Sequence, residues 1–203
     1  MGGTMAQPVV YRSAEACRRR QFATLRFNFR GVGGSEGSYS GEDEYQDVAA
    51  AAAYLRERLR QPAEVPAPNG DASDQLPTPG PAAMSPFLGE VPLGLMGYSF
   101  GSVMSALAAS EVEASALALV GFVVASETFL PAAVDNLKTY AGPILAVCGE
   151  YDELAPPQAV DRALREAGVD YRLETIRTTG HFFEGRQREV GEMVASFFAD
   201  ALS

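Results

Sequence analysis

The sequence predicts an α/β fold in which a mostly parallel sheet of about five strands is flanked by helices. Helical stretches alternate along the chain with short apolar runs, a pattern typical of parallel strands covered by helices. The connections between these elements are short, which favours right-handed crossovers. With 203 residues, 47% of them hydrophobic, the chain is long enough for one domain with a real core. We therefore expect residues 1–203 to form a single domain.

The first part of the chain supplies two helices and one strand. The pattern predicts a helix over 8–20, a strand over 22–29, a glycine-rich turn over 31–37 and a helix from about 42 to 60. Residues 61–89 are rich in Pro, Gly, Ala, Ser and Asp and follow neither a helical nor a strand period. Such a segment buries too little apolar surface to offset its ordering entropy, so we expect a disordered surface insertion there. The insertion is either inert or a docking segment.

The remaining elements follow this insertion in regular alternation. The predicted strands cover 91–96, 116–124, 143–149 and 171–176, and the predicted helices cover 102–110, 157–168 and 184–201, with a short helix in the loop 125–139. No internal repeat is visible. Because strand and helix alternate with short connections to the end of the chain, right-handed crossovers are the expected topology.

Composition excludes several classes of function. A net charge of −10 argues against nucleic-acid binding, because phosphate contacts need a basic surface, and it also disfavours a membrane surface. No run of about 18 apolar residues and no signal-peptide pattern is present, so we expect no membrane association. Cys17 and Cys148 lack metal-ligand spacing and indicate reduced thiols, hence a cytoplasmic protein. With one histidine in the chain, we expect no metal site.

The strongest chemical signal is the motif GYSFG at 97–101, between an apolar strand and a helix of small residues. This context is typical of a nucleophile elbow, a tight turn that presents the Ser99 hydroxyl at the carboxyl edge of the sheet. Gly97 and Gly101 are expected to let strand and helix approach without a Cβ clash. The alternative is an ordinary serine in a glycine-flanked loop.

A serine nucleophile needs a general base, and His181 is the chain's one histidine. It follows the last predicted strand, and Asp152 follows the strand at 143–149, which gives the order Ser, Asp, His along the chain. The carboxylate would hold the imidazole in the correct tautomer. Glu150 and Glu153 flank Asp152 and are alternatives, but the first lies one residue after the strand and the second lies past the turn.

A second glycine-rich run, RGVGGSEG at 30–37, is open to interpretation as a phosphate-binding loop. It lacks the Lys-Ser/Thr pair of such loops, and the acidic stretch GEDEYQD follows it. We interpret the run as a structural loop bordering the active site, and we expect no cofactor.

With these residues in view, the sequence resembles the small, lid-poor α/β-hydrolases related to dienelactone-hydrolase-like and serine-peptidase-like esterases. The resemblance is carried by GGTM at 2–5, RFNFRGVGGSEG at 26–37, GYSFGS at 97–102, GEYDELAPP at 149–157 and GHFFEGR at 180–186. It implies a cofactor-free hydrolase of esters, thioesters or amides, with Ser99, Asp152 and His181 as the catalytic triad. It also implies a small-molecule acyl substrate and, from the short loop at 125–139, an open site.

The resemblance departs from the family at the N-terminus. Members carry about three further strands before the segment that matches GGTM, so this chain is expected to be an N-terminally truncated α/β-hydrolase fold. The absent third strand would lie between 22–29 and 91–96, which then either pair directly or leave an open edge that favours a homodimer. The family pattern makes the Phe100 N–H one oxyanion donor and leaves Gly3 or Thr4 to supply the second.

The predicted reaction is acyl transfer to water through a serine acyl-enzyme. Loss of one oxyanion donor costs about 10²–10³ in rate, so an intact triad is compatible with a slow enzyme. Two alternatives stay open at this point: a non-hydrolytic lyase, cyclase or isomerase reaction using the same base, and a catalytically impaired binding protein or truncated gene product.

Overall fold

The computed structural model describes residues 3–60, 91–125 and 129–203. The predicted insertion at 61–89 lies outside the described residues. Within these ranges the helices are α1 (Pro8–Arg19), α2 (Tyr45–Arg60), α3 (Phe100–Ala108), α4 (Leu130–Leu137), α5 (Pro157–Ala167) and α6 (Gln187–Ala201), and the strands are β1 (Gly94–Tyr98), β2 (Ala116–Val120), β3 (Ile144–Gly149) and β4 (Tyr171–Ile176).

The strands form one parallel sheet in the order β1-β2-β3-β4. Every residue of β2 and β3 is buried, because helices cover both faces of the central strands. Leu117 and Leu119 of β2 belong to one core cluster, and Ala118 and Val120 belong to the other. This alternation is the two-residue period of a strand buried on both sides. The predicted α/β class is therefore confirmed.

The two core clusters place the helices. Helices α1 and α6 pack on one face of the sheet, and α2, α3, α4 and α5 pack on the other. Among the described residues, none of the helices has both the length and the apolar character needed to cross a bilayer.

One predicted strand is not a strand in the structure. Residues 22–29 form no ladder with any described residue, and the sheet has four strands in the described ranges rather than about five. A ladder requires a neighbouring backbone at about 4.8 Å, but here a cavity lies between this segment and β1. The prediction of a strand over 22–29 was wrong because an apolar run specifies burial but does not supply a pairing partner.

Candidate active site

The turn between β1 and α3 holds Ser99 in a conformation that few non-glycine residues adopt. Its φ is 55° and its ψ is −123°. Its N–H donates to the Val120 carbonyl (2.9 Å), and its own carbonyl accepts hydrogen bonds from the Ser102 N–H (2.9 Å) and hydroxyl. Such a backbone costs roughly 1–3 kcal/mol and persists only where its surroundings fix it. Ser99 therefore lies in a strained turn at the carboxyl end of β1, and these hydrogen bonds hold the turn in place.

The two glycines of the motif differ in the space available for a Cβ atom. A Cβ on Gly97 would lie 2.1 Å from the carbonyl oxygen of Gly101 and 2.5 Å from Cα of Ser102. A Cβ on Gly101 would meet nothing closer than the Phe29 ring, at 3.8 Å. The expectation that both glycines prevent a strand–helix clash is right for Gly97 and wrong for Gly101.

The predicted residues Ser99, His181 and Asp152 are joined in one chain of hydrogen bonds. His181 Nε2 lies 2.7 Å from Ser99 Oγ. His181 Nδ1 lies 2.9 Å and 3.0 Å from the two carboxylate oxygens of Asp152. Asp152 and His181 are 3% and 8% exposed, so the hydrogen bonds between them are shielded from water. The arrangement lets a proton pass from the serine hydroxyl to the imidazole.

Asp152 is held by the loop that it starts. Its Oδ1 accepts hydrogen bonds from the N–H groups of Leu154 (3.0 Å) and Ala155 (2.8 Å). Glu150 and Glu153, the alternatives for the acid, are exposed, and Glu150 accepts a hydrogen bond from the Thr178 N–H (2.8 Å) instead. Of the three carboxylates in this loop, Asp152 is the one in contact with His181.

Two residues that sequence reasoning missed fix the position of the imidazole. Gly121 directly follows β2 with a φ of +56°, and a Cβ there would lie 3.0 Å from His181 Cε1. Tyr98 stacks on the imidazole with ring centroids 5.5 Å apart, and its hydroxyl donates to the His181 carbonyl (3.0 Å). Burial raises the pKa of Tyr98 to about 12, so the phenol keeps its proton at neutral pH. No local pattern in the sequence marks either residue as a partner of His181.

Removing the Tyr98 hydroxyl is expected to destabilise the fold by about 1–3 kcal/mol. Tyr98→Phe keeps the stacked ring but leaves the His181 carbonyl without its phenol donor. Tyr140→Phe is the matched control, since the buried Tyr140 hydroxyl has no hydrogen-bond partner in the described part of the chain. Removal of the Tyr140 hydroxyl should leave the free energy of unfolding unchanged or raise it. Urea unfolding of the two variants measures the difference, and equal midpoints would contradict the role given to Tyr98.

The predicted oxyanion donors lie on two segments. The Phe100 N–H begins α3, where the first N–H groups of a helix have no acceptor within it. Gly3 and Thr4 line the same cavity as Ser99. Their segment is fixed by the Met5 N–H, which donates to Asn28 Oδ1 (2.6 Å), and by the Gln7 N–H, which donates to the Thr4 carbonyl (2.9 Å). The assignment of Phe100, Gly3 and Thr4 as oxyanion donors stays a prediction.

The cavity beside Ser99 has a volume of about 790 Å³ and runs along the edge of β1 that pairs with no other described strand. The residues that line it come in part from 22–29, α1, α2 and α6, and most of these are apolar. Phe29 and Tyr39, on either side of the glycine-rich loop, line the cavity, but residues 30–37 themselves do not, so the loop's position beside the active site stays a prediction.

The two thiols take no part in the hydrogen-bonded chain of Ser99. Cys17 and Cys148 are buried, and burial raises their pKa to about 11 and about 12, respectively. Thiols of such high pKa are poor nucleophiles. In the described ranges no group of three His, Cys, Asp or Glu residues is placed to hold a metal ion.

Comparisons with known proteins point in one direction. The sequence matches the dienelactone hydrolase family over residues 83–201, more than half of the chain. No curated protein matches it significantly. An α/β serine hydrolase homologue from Coxiella burnetii is similar in structure, with 27% identity, a TM-score of 0.73 and coverage of 97% of this chain and 78% of that one.

Two further structures extend the comparison. A serine hydrolase without a lid from Xanthomonas campestris shares 26% identity with a TM-score of 0.72, and the match covers 99% of this chain and 77% of that one. An esterase from Pyrococcus furiosus shares 15% identity with a TM-score of 0.68, covering 99% of this chain and 79% of that one. At that identity the likeness concerns the fold alone.

Proposed function

The chain belongs to the dienelactone hydrolase family, and we propose that it is a serine hydrolase that cleaves an ester, thioester or amide of a small substrate through an acyl-enzyme at Ser99. Membership of the family makes the protein a hydrolase of the carboxylic-ester type. The observation that carries the finer proposal is the hydrogen-bonded chain from Ser99 Oγ through His181 to the buried carboxylate of Asp152.

The tautomer of His181 follows from its partners. Nδ1 faces an acceptor-only carboxylate, so it carries the proton, and Nε2 presents a lone pair to the serine hydroxyl. Ser99 Oγ attacks the substrate carbonyl while Nε2 takes the hydroxyl proton. The imidazolium then gives this proton to the leaving alcohol, thiol or amine, and the acyl group stays on Ser99. Water, deprotonated by the same nitrogen, releases the acid and restores the serine.

The negative charge on the carbonyl oxygen develops next to the start of α3. The Phe100 N–H is the proposed main donor, since it follows the nucleophile directly and has no partner inside the helix. Gly3 or Thr4 is the proposed source of the second N–H, because both line the cavity that contains Ser99. Both proposed donors are backbone N–H groups of this chain.

Labelling with a fluorophosphonate probe tests this proposal. The wild-type protein is expected to be labelled, and Ser99→Ala is expected to abolish the labelling, because an activated serine attacks the phosphorus and an alanine cannot. Ser110→Ala is the matched control, since Ser110 does not line the cavity, and it should be labelled like the wild type. Circular dichroism verifies that each variant is folded. A folded wild type that resists labelling, or labelling that survives Ser99→Ala, would contradict the proposal.

A further inference from the structure

Four aromatic rings form a continuous wall beside the nucleophile. This aromatic wall consists of Phe29, Tyr39, Phe100 and Phe129, and all four line the cavity that contains Ser99 and His181. The Phe100 ring is its centre, with centroid distances of 5.5 Å to Phe29, 5.6 Å to Tyr39 and 6.3 Å to Phe129. The pairs with Phe29 and Phe129 are edge-to-face, the geometry that aromatic rings prefer. The wall begins one residue after Ser99.

The mouth of the site is apolar as well. Tyr39, Leu154 and Phe182 are 48%, 45% and 58% exposed, and each lines this cavity. The Phe182 ring meets the His181 imidazole edge-on at 5.6 Å. Exposed apolar side chains gathered around a reactive group are typical of a ligand site, because covering them releases ordered water.

The four rings of the aromatic wall carry no formal charge. No carboxylate lines the cavity among the described residues, and its two arginines, Arg26 and Arg56, are not part of the wall and contact neutral groups. Arg26 donates to the Met5 carbonyl and lies over the Tyr11 ring, and Arg56 of α2 donates to the Glu113 carbonyl. An anionic group placed against the aromatic wall would lose its hydration without gaining a partner of opposite charge.

We propose that the preferred substrate is an ester with an uncharged aromatic acyl group, whose ring lies against the aromatic wall. This inference rests on the proposed function of Ser99. The acyl side is assigned to the wall because the acyl group stays bonded to Ser99 through both chemical steps, and the wall starts at the adjacent residue. A ring held there contributes apolar burial to the transition state of acylation, the step that kcat/KM reports, whereas the leaving alcohol must lie beside His181 Nε2, which protonates it.

Two isomeric esters test the assignment directly. Methyl 3-phenylpropanoate carries its ring on the acyl side, and 2-phenylethyl acetate has the same atoms with the ring on the alcohol side. The purified protein is expected to hydrolyse the first with a kcat/KM at least tenfold higher, measured as acid release at constant pH. Monomethyl succinate, with an anionic acyl group, and methyl butanoate are expected to be slower than the phenyl ester by at least tenfold.

Variants of the wall separate recognition from catalysis. Tyr39→Ala and Phe129→Leu are expected to lower the ratio of kcat/KM for methyl 3-phenylpropanoate over methyl butanoate at least threefold. Tyr54→Ala removes an exposed ring of α2 that does not line the cavity, and it should leave both substrates unchanged. Tyr39 is half-exposed, so its removal is compatible with a folded protein.

The outcomes distinguish failure of the aromatic-acyl assignment from failure of the proposed function. A protein that is labelled by fluorophosphonate at Ser99 but prefers 2-phenylethyl acetate or monomethyl succinate, or shows no preference, overturns the aromatic-acyl assignment alone. A folded protein that is not labelled overturns the proposed function, and this inference falls with it.

Discussion

Replacing Asp152 with asparagine is expected to lower kcat by about 10⁴ while leaving the fold intact. In the wild type, Asp152 Oδ1 accepts from the Leu154 and Ala155 N–H groups, and its Oδ2 lies 2.9 Å from His181 Nδ1. An asparagine keeps the two loop hydrogen bonds through its carbonyl oxygen. Its amide nitrogen then occupies the position of Oδ2 and turns a hydrogen-bond donor toward the imidazole.

The loss of rate follows from the tautomer. Oδ1 also lies 3.0 Å from Nδ1, but the Leu154 and Ala155 N–H groups already occupy its lone pairs. The amide donor at the Oδ2 position therefore sets the tautomer, with Nδ1 accepting and the imidazole proton on Nε2. Nε2 then faces Ser99 Oγ as a donor and cannot take the serine proton. The site is preserved in shape but inverted in its hydrogen-bond direction, and the rate falls although every heavy atom is in place.

Ester turnover by Asp152→Asn and by Glu153→Gln measures this effect. Glu153 is an exposed carboxylate in the same loop, so its loss should change kcat less than twofold. Equal losses in the two variants would mean that the loop's overall charge, rather than the contact with His181, supports the reaction. Thermal unfolding of Asp152→Asn close to the wild type would show that the loss is chemical.

The sequence predicts a site residue when the position of that residue is determined by residues close to it along the chain. Ser99, Asp152 and His181 were predictable because each follows a strand of a parallel sheet, and the carboxyl ends of such strands lie at one edge. Each therefore needed only a correct strand and a reactive residue type. The structure brings all three together within hydrogen-bond distance.

The parts that escaped prediction depend on contacts between distant segments. Tyr98 and Gly121 contact His181 across 83 and 60 positions of sequence, and nothing in their local pattern names that partner. The aromatic wall likewise collects three rings from elsewhere in the chain around Phe100. The strand predicted over 22–29 failed for a related reason, since a ladder depends on a neighbour that local pattern does not specify.

Gly97→Ala is expected to destabilise the protein by about 3 kcal/mol or more, because the added Cβ would lie 2.1 Å from the Gly101 carbonyl oxygen. The obstacle is the backbone of α3, which cannot rotate away as a side chain can. Relief requires β1 and α3 to separate, and that movement would displace Ser99, which lies between them. At about 2–4 °C per kcal/mol for a chain of this size, the melting temperature should fall by about 6–12 °C.

Gly101→Ala tests whether this cost comes from the clash rather than from the loss of a glycine in the motif. Its Cβ would contact the Phe29 ring at 3.8 Å, an ordinary van der Waals distance, and its φ is not in the left-handed region. Alanine is also the better helix former, so the variant should be neutral or stabilised by up to about 1 kcal/mol. A large fall in melting temperature is therefore expected for Gly97→Ala and no fall for Gly101→Ala, although the chemical change is the same and the positions are four residues apart. Similar losses in both variants would mean that the turn requires flexibility at each glycine, and the close approach of β1 to α3 would no longer explain the motif.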